Sequence, residues 1–549
     1  MVPNWDASGS SSIESPPSGR TLGGFGIGPV AAPDFSPGRS KVRRAFAVVL
    51  AAATLLAPAT AFAAGFTDFG QDIKPREKFE IGLHGYLRGR AEALRNLDLD
   101  RGLLPSGQPI FPTPLGDPTA QWLTSADMRL RTDLAIYAPG GGVAVKVRLD
   151  TLDNAGLGSM PDGIPYASGT QRPSGSIFSL RRAYGEALLP FGYLAVGRMG
   201  NHWGLGMLAN GGDCIDCDSG DSVDRAAFVT PLAGHIFAFA FDFSATLAMK
   251  ERANNRVISV APLSNVRSLS LAMMTYRGDD ARERRRKADK TTFEYGALLS
   301  YRWQDGDVPA SYLPEPGTGP VTIDNGQVMG RGAKFFVADA FARLTHPEFT
   351  LAAELAYANG KIDQASLVPG VLLRDPIKAS QLGIAVESEI GTTVSPFGIG
   401  VDGGYASGDT GATLGQLPQP PQGGRVDSFR FHPDYRVDRI LFREIIGQVT
   451  GAFYVRPHAR ARIFKMPTGE LRFELSGLAA FASADQWSPS GDRALGVEVD
   501  PTLVYKSRDG FYAAIDYAAL FPLSGMDNPQ ANLKAQPAQS IRARVAFIF

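Results

Sequence analysis

Ile541-Arg542-Ala543-Arg544-Val545-Ala546-Phe547-Ile548-Phe549 closes the chain. Its odd positions are apolar or aromatic, and Arg542, Arg544 and Ala546 place polar or small groups between them. A period of two is that of a β-strand with one face in hydrocarbon and the other in a wetter place, and the stretch is about as long as a tilted strand needs to be to cross a membrane. A soluble sandwich ending in an edge strand is the alternative, and the rest of the chain decides between them.

The same alternation recurs upstream. Phe79, Ile81, Leu83, Gly85, Leu87 and Gly89 make one face, while His84, Tyr86, Arg88, Arg90 and Glu92 make the other. Leu130, Leu134 and Ile136 alternate with Arg129, Arg131 and Asp133, and Val143, Val145, Val147 and Leu149 with Lys146, Arg148 and Asp150. A charge facing lipid at mid-depth costs roughly 2–4 kcal/mol, so confining charges to one face in strand after strand is what a water-lined barrel requires. No apolar run after residue 63 is long enough for a membrane helix. The 62 glycines and 32 phenylalanines suit turns and interface girdles.

Short links (139–142, 190–192, 231–234, 346–347, 466–469, 507–510) alternate with long Gly- and Pro-rich ones near 93–126, 152–176, 304–333, 360–378 and 407–438. With both termini on the short-turn, periplasmic side, the expected fold is all-β: a transmembrane antiparallel β-barrel of about 18 strands. The charged link from Arg277 to Lys290, long where a turn should be short, keeps sixteen strands open.

With Phe547 and a terminal Phe549, the last strand resembles that of Gram-negative outer-membrane β-barrel proteins. The resemblance implies residence in the outer membrane, among its lipid, and implies that Phe547 and Phe549 are a signal read by the barrel-assembly machinery. The other end agrees. Lys41, Arg43 and Arg44 precede the apolar run Ala45 to Leu56, and Ala61-Phe62-Ala63 offers a small-x-small cleavage site. The expected division is a disordered or mis-annotated extension over 1–40, with Val42 as an alternative start, a signal peptide over 41–63, a short periplasmic segment over 64–78 and the barrel over 79–549. The mature protein should begin at or near Ala64. N-terminal sequencing of membrane-extracted protein checks this, and a start before Lys41 would refute it.

Leu180-Arg181-Arg182-Ala183-Tyr184-Gly185-Glu186-Ala187 and Gly197-Arg198-Met199-Gly200-Asn201-His202-Trp203-Gly204-Leu205-Gly206-Met207 resemble a family of porin-like outer-membrane proteins of unassigned function. The resemblance implies the barrel and no catalytic residue. On this reading Arg198 faces the lumen and meets Glu186 or Tyr184, and Trp203 is a membrane-interface tryptophan.

Both cysteines lie in the third long loop, among Asp213, Cys214, Asp216, Cys217, Asp218, Asp221 and Asp224. Outside the cytosol, Cys214 and Cys217 are expected to form a disulfide. Zinc would need more thiols or histidines. The carboxylates suit a divalent cation, calcium above all, although their spacing is not that of an EF-hand loop. No cofactor is otherwise expected. Gly398-Ile399-Gly400-Val401-Asp402-Gly403 fits a dinucleotide fingerprint but lies within a strand and is set aside.

The expected lumen wall is basic at Arg88, Arg90, Arg129, Arg131, Lys146, Arg148, Arg182, Arg198, Arg456, Arg460 and Arg462. It is acidic at Glu92, Asp133, Asp150 and Glu186, which also form an ion-pair ladder. With 55 basic and 55 acidic residues, the chain does not read as a nucleic-acid binder. The expected function is passive diffusion of small polar solutes, with a narrowing wherever loop-three aspartates oppose the arginines. The alternatives are a structural or adhesive surface barrel whose loops bind a partner or cations, and an outer-membrane hydrolase using His202 with loop-three aspartates. Association of barrels into trimers is left open.

Overall fold

The computed structural model describes residues 66, 76–104, 107–115, 121–158, 178–245, 250–253, 255–259, 261–307, 329–364, 375–391, 395–409 and 424–549. The expected extension and signal peptide, most of the long loops near 152–176, 304–333 and 360–378, and part of the one near 407–438 lie outside the described residues.

Alternation becomes wall through continuous antiparallel pairing. The strands are β1 (Glu80–Arg95), β2 (Trp122–Tyr137), β3 (Val143–Gly156), β4 (Phe178–Leu189), β5 (Gly192–Gly200), β6 (Ser222–Leu232), β7 (His235–Ala245), β8 (Val266–Thr275) and β9 (Thr292–Asp307). They continue with β10 (Met329–Thr345), β11 (Phe349–Ile362), β12 (Ile377–Ile390), β13 (Phe397–Ala406), β14 (Ala452–Lys465), β15 (Gly469–Ala482), β16 (Ala494–Ser507), β17 (Phe511–Pro522) and β18 (Ala538–Ile548). The sheet has nineteen strands, one of them the two-residue Arg425–Val426 pairing parallel to β12. The other eighteen each pair with the next, and β18 pairs with β1, so the wall closes.

The sixteen-strand alternative is thus replaced. The charged link is neither hairpin nor strand but a helix, α1 (Asp279–Lys287), joining β8 to β9 on the short-turn side. Arg282 crosses from it to Glu294 of β9 at 3.2 Å.

Outward positions form an apolar belt. At the short-turn end Phe293, Phe397 and Phe547 are exposed, and at the long-loop end Trp122, Phe243, Tyr301, Tyr357 and Phe521. Leu271, Leu299, Leu355 and Val386 are among those that fill the height between. Large apolar side chains over the whole outer face, edged by aromatics, identify a lipid-embedded barrel of the outer-membrane type.

Of the expected periplasmic segment 64–78, residues 64–65 and 67–75 lie outside the described residues. Phe66 is buried in a cluster with Trp203, Ala227, Ala238 and Met274, all on or against the inner wall, and the Arg225 guanidinium lies 4.6 Å above its ring. An aromatic ring gains more on that dry, small-residue surface than in periplasmic water.

A constriction hung between two charged arcs

Residues 201–221 link β5 to β6 and fold into the lumen instead of standing outside it. One half docks on an arc of arginines. β1 supplies Arg88 and Arg90, β2 Arg129 and Arg131, β3 Arg148, β4 Arg182 and β18 Arg544, and all are buried. Asp213 takes charged hydrogen bonds from Arg148 and, at 2.9 Å, from Arg182. Asp216 meets Arg90 at 3.1 Å, Arg544 at 3.3 Å and Arg542 at 3.6 Å. Asp218 meets Arg90 at 2.8 Å, Arg129 at 3.2 Å and Arg88 at 3.3 Å. Backbone carbonyls join in: Arg129 donates to Cys217 (2.6 Å), Arg131 to Gly212 (2.6 Å) and Arg88 to Ile215 (3.0 Å).

Cys214 and Cys217 form the disulfide that closes this tip. A short covalent ring limits the conformations open to Asp216 and to Asp213 and Asp218 beside it, so that the three carboxylates and the neighbouring carbonyls are already aimed at the arginine arc.

The other half of the strap docks on carboxylates of the far wall. Trp203 donates its indole N–H to Asp339 of β10 at 2.7 Å, and Glu354 of β11 accepts the amides of Leu205 and Leu208. Trp203 is therefore no membrane-interface residue but a buried strut within the lumen, packed edge-on against Phe341. β10 and β11 lie half a circuit from β1 and β2 in strand order, so the loop spans the lumen.

A second inward loop, 427–451 between β13 and β14, completes the constriction. Phe429, Phe431, Ile440, Leu441, Phe442 and Ile445 bury against inward Leu478 of β15, Leu495 of β16 and Leu520 of β17. Asp438 caps the single turn Leu441–Ile445 by accepting the amides of Phe442 (2.7 Å) and Arg443 (3.1 Å). Glu498 of β16 accepts the amides of Arg439 (2.8 Å), Ile440 (2.8 Å) and Leu441 (3.0 Å). The loops lock together: Asp434 accepts the amides of Asp218 and Ser219, and Arg436 and Arg443 reach Asp216 at 3.0 and 2.8 Å. Glu498→Leu would leave three buried amides without acceptors, at roughly 1–3 kcal/mol each. Limited proteolysis of purified protein should then cut within 427–451 while the barrel stays resistant.

The remaining wall residues pair among themselves. Arg131 holds Asp150 at 2.7 Å, Arg148 holds Asp133, Lys146 holds Glu186 at 3.1 Å, and Glu92 lies between Arg90 and Arg542. On β14, Arg456 pairs with Asp402 at 2.8 Å, Arg460 with Glu389 and Arg462 with Glu470. Asp221 lies 3.5 Å from His432.

One expected lumen residue and one expected loop residue lie elsewhere. Arg198 shares the outward face of β5 with Leu194 and Val196, opposite Ala183 rather than Glu186. Its partner is Asp224 at 2.7 Å, and both side chains are close to half-exposed. Asp224 belongs to β6 and not to the acidic loop. Near the rim the hydrocarbon ends, so an outward charge there costs only ~0–1 kcal/mol.

Other lumen residues escaped the sequence reading. Arg542 and Arg544 follow from the period of the last strand, Arg181 enters through a bulge against Leu149, and the run Ile440–Ile446 is too apolar for a solvated loop. Asp339, Glu354 and Glu498 carry no local signal beyond an inward position.

Burial opposes charge on Asp213, yet Arg182 and Arg148 outweigh it and hold the carboxyl at about 2. Asp216 and Asp218 are likewise held well below the usual carboxylate range against burial, Asp216 chiefly by Arg443 and Asp218 chiefly by Arg90. A carboxylate depressed in the fold stabilises it above the unfolded value of 3.8, and that stabilisation is lost as pH falls through the folded value. The clamp should therefore hold from neutral pH to about 4 and release near pH 2. Amide exchange across 211–219 measures this, and release between pH 6 and 5 would contradict it.

Guanidinium groups around every one of these three carboxylates would repel a divalent ion. Among the described residues no group of three or more His, Cys, Asp or Glu side chains converges to hold a metal.

In fold the chain is similar to the outer-membrane protein OpdK of Pseudomonas aeruginosa, with 11% identity over 86% of this chain and 98% of that one and a TM-score of 0.46. It is similar also to OccAB1 of Acinetobacter baumannii (10%, 88% and 99%, TM-score 0.46) and to the outer-membrane channel DcaP of the same species (12%, 86% and 98%, TM-score 0.38). No family model and no curated protein matches the sequence.

Proposed function

We propose that the chain is an outer-membrane channel for passive diffusion of small hydrophilic solutes, with loop 201–221 and loop 427–451 setting the width and charge of the route. The observation that carries this reading is the strap itself. An eighteen-strand wall encloses an aqueous interior unless something fills it, and here the crossing element is a loop hung between arginines and carboxylates. Charges of opposite sign on facing arcs create a transverse field in a confined space, which favours polar solutes over apolar ones. The roles of the arginines, of the acidic wall residues and of Asp213, Asp216 and Asp218 as selectivity determinants belong to this proposal.

A closed surface barrel is the second reading. The full burial of Arg88 and Arg129 beneath the strap favours it. Purified protein in a planar bilayer distinguishes the two: discrete, stable conducting steps support the channel, and a silent bilayer with correctly folded protein supports the closed barrel. The hydrolase reading gains no support, since the aspartates it would borrow are engaged by arginines and burial holds the His202 imidazole down to about 4, with its Nδ1 facing the Gly211 amide at 3.5 Å.

A further inference from the structure

Lys334, Lys361, Lys378 and Arg425 are direct cross-strand neighbours in one row. All four are exposed, and the three lysines share the outward, lipid-facing side with Phe336, Tyr357 and Leu382. They line one cavity of about 400 Å3 with Tyr301, Phe336, Asn359 and Ser380. Asp363 steadies Lys361 at 2.9 Å and Asp427 steadies Arg425 at 2.8 Å. Among the described residues Lys334 and Lys378 have no ion-pair partner.

Nothing in the sheet explains such a row. Like charges directly opposite each other destabilise a strand pair, and strands ~4.8 Å apart put the four cations within roughly 15 Å. The row lies level with the long-loop edge of an aromatic step in which Tyr301 stacks on Trp303, the register partner of Lys334. From Phe293, in the girdle at the short-turn end, to Trp303 is roughly ten residues, or about 26 Å at ~3.4 Å per residue and ~40° of tilt. That matches the ≈ 25 Å apolar band, so the cations stand at headgroup level in the outer leaflet, where hydrocarbon gives way to phosphate.

The structure assigns this cavity to a phosphorylated glycolipid of the outer leaflet. Its acyl chains would lie on Phe336, Tyr301 and Leu382 and its phosphates across Lys334, Lys361, Lys378 and Arg425. The Tyr357 and Ser380 hydroxyls, 3.2 Å apart, and the Asn359 amide offer hydrogen bonds for a sugar. A bisphosphorylated headgroup matches the row better than a single phosphate because it meets several cations at once.

Native mass spectrometry of detergent-solubilised full-length protein, titrated with bisphosphoryl lipid A, tests the assignment. The variant carrying Lys334→Gln, Lys361→Gln, Lys378→Gln and Arg425→Gln should bind ~10-fold or more weakly. Lys334→Gln with Lys378→Gln, a milder pair in case the fourfold variant misfolds, should show a smaller loss in the same direction. Lys465→Gln with Arg508→Gln, at the opposite rim, should bind as the parent does. Undiminished binding by the fourfold and double variants would overturn the assignment. So would displacement of lipid A by equimolar inorganic phosphate, which would make the row a free-anion site, or equal binding of phosphatidylglycerol, which would make it a general anionic patch.

Discussion

Replacing Asp213, Asp216 and Asp218 together by asparagine should raise single-channel conductance severalfold and shift the reversal potential in a salt gradient toward anions. These carboxylates face Arg88, Arg90, Arg129, Arg148, Arg182, Arg436, Arg443 and Arg544. Breaking a buried ion pair from one side costs about 3–5 kcal/mol because the other charge stays buried and uncompensated. Three such losses outweigh the strap's remaining bonds, which are those to Glu354, Asp339 and Asp434 and the arginine contacts to its carbonyls, so the strap should lift from the arginine arc. The exposed guanidinium groups then dominate a narrow lumen in which lining charges are little screened. The reciprocal set, Arg88→Gln, Arg90→Gln and Arg129→Gln, should move the reversal potential toward cations. If both sets leave conductance and reversal potential unchanged, ions do not pass this constriction, and the channel reading falls with it.

The sequence displays some of this arrangement and conceals the rest for physical reasons. Period-two patterning is written locally, so Arg88, Arg90, Arg129, Arg131 and Arg148 could be placed inward from their neighbours alone. The third loop announces itself through its aspartates and paired cysteines. The misplacement of Arg198 came from treating charge as a marker of the lumen, a rule that weakens at the rim where water and headgroups begin. Trp203 looked like an interface residue because tryptophans of barrels gather there, whereas its surroundings are set by Asp339, far away in sequence. The same holds for Glu354 and Glu498. An inward carboxylate that accepts loop amides is indistinguishable in sequence from one facing water, since its partners are chosen by how loops fold back and not by the strand that carries it. The cation row was equally hidden. Lys334, Lys361 and Lys378 are ordinary lysines until register aligns them on the lipid side.

Deleting Phe549, or replacing it with aspartate, should reduce membrane-inserted protein by an order of magnitude while leaving the stability of correctly refolded barrel nearly unchanged. In the closed wall Phe549 contributes two backbone hydrogen bonds at the seam, its N–H to the Gly85 carbonyl (3.0 Å) and its carbonyl from the Gly85 N–H (2.9 Å). Their loss costs ~0.5–1.5 kcal/mol each, and a charge at this interfacial depth ~0–1 kcal/mol, against a wall of eighteen paired strands. Such a change does not empty a membrane of its protein. A large loss in cells would therefore arise before the barrel exists and would support a role for the terminal aromatic in assembly. Gly85→Val provides the contrast, since a Cβ there would collide with the Arg131 carbonyl and stand 2.8 Å from the Phe549 ring, damaging the seam itself. That variant should melt lower in detergent as well as accumulate less. Heat-modified gel mobility of refolded protein, set beside outer-membrane levels, tells recognition from stability. Normal membrane levels of the Phe549 variants would remove the terminal aromatic as an assembly signal, and a melting loss as large as that of Gly85→Val would relocate its effect to the seam.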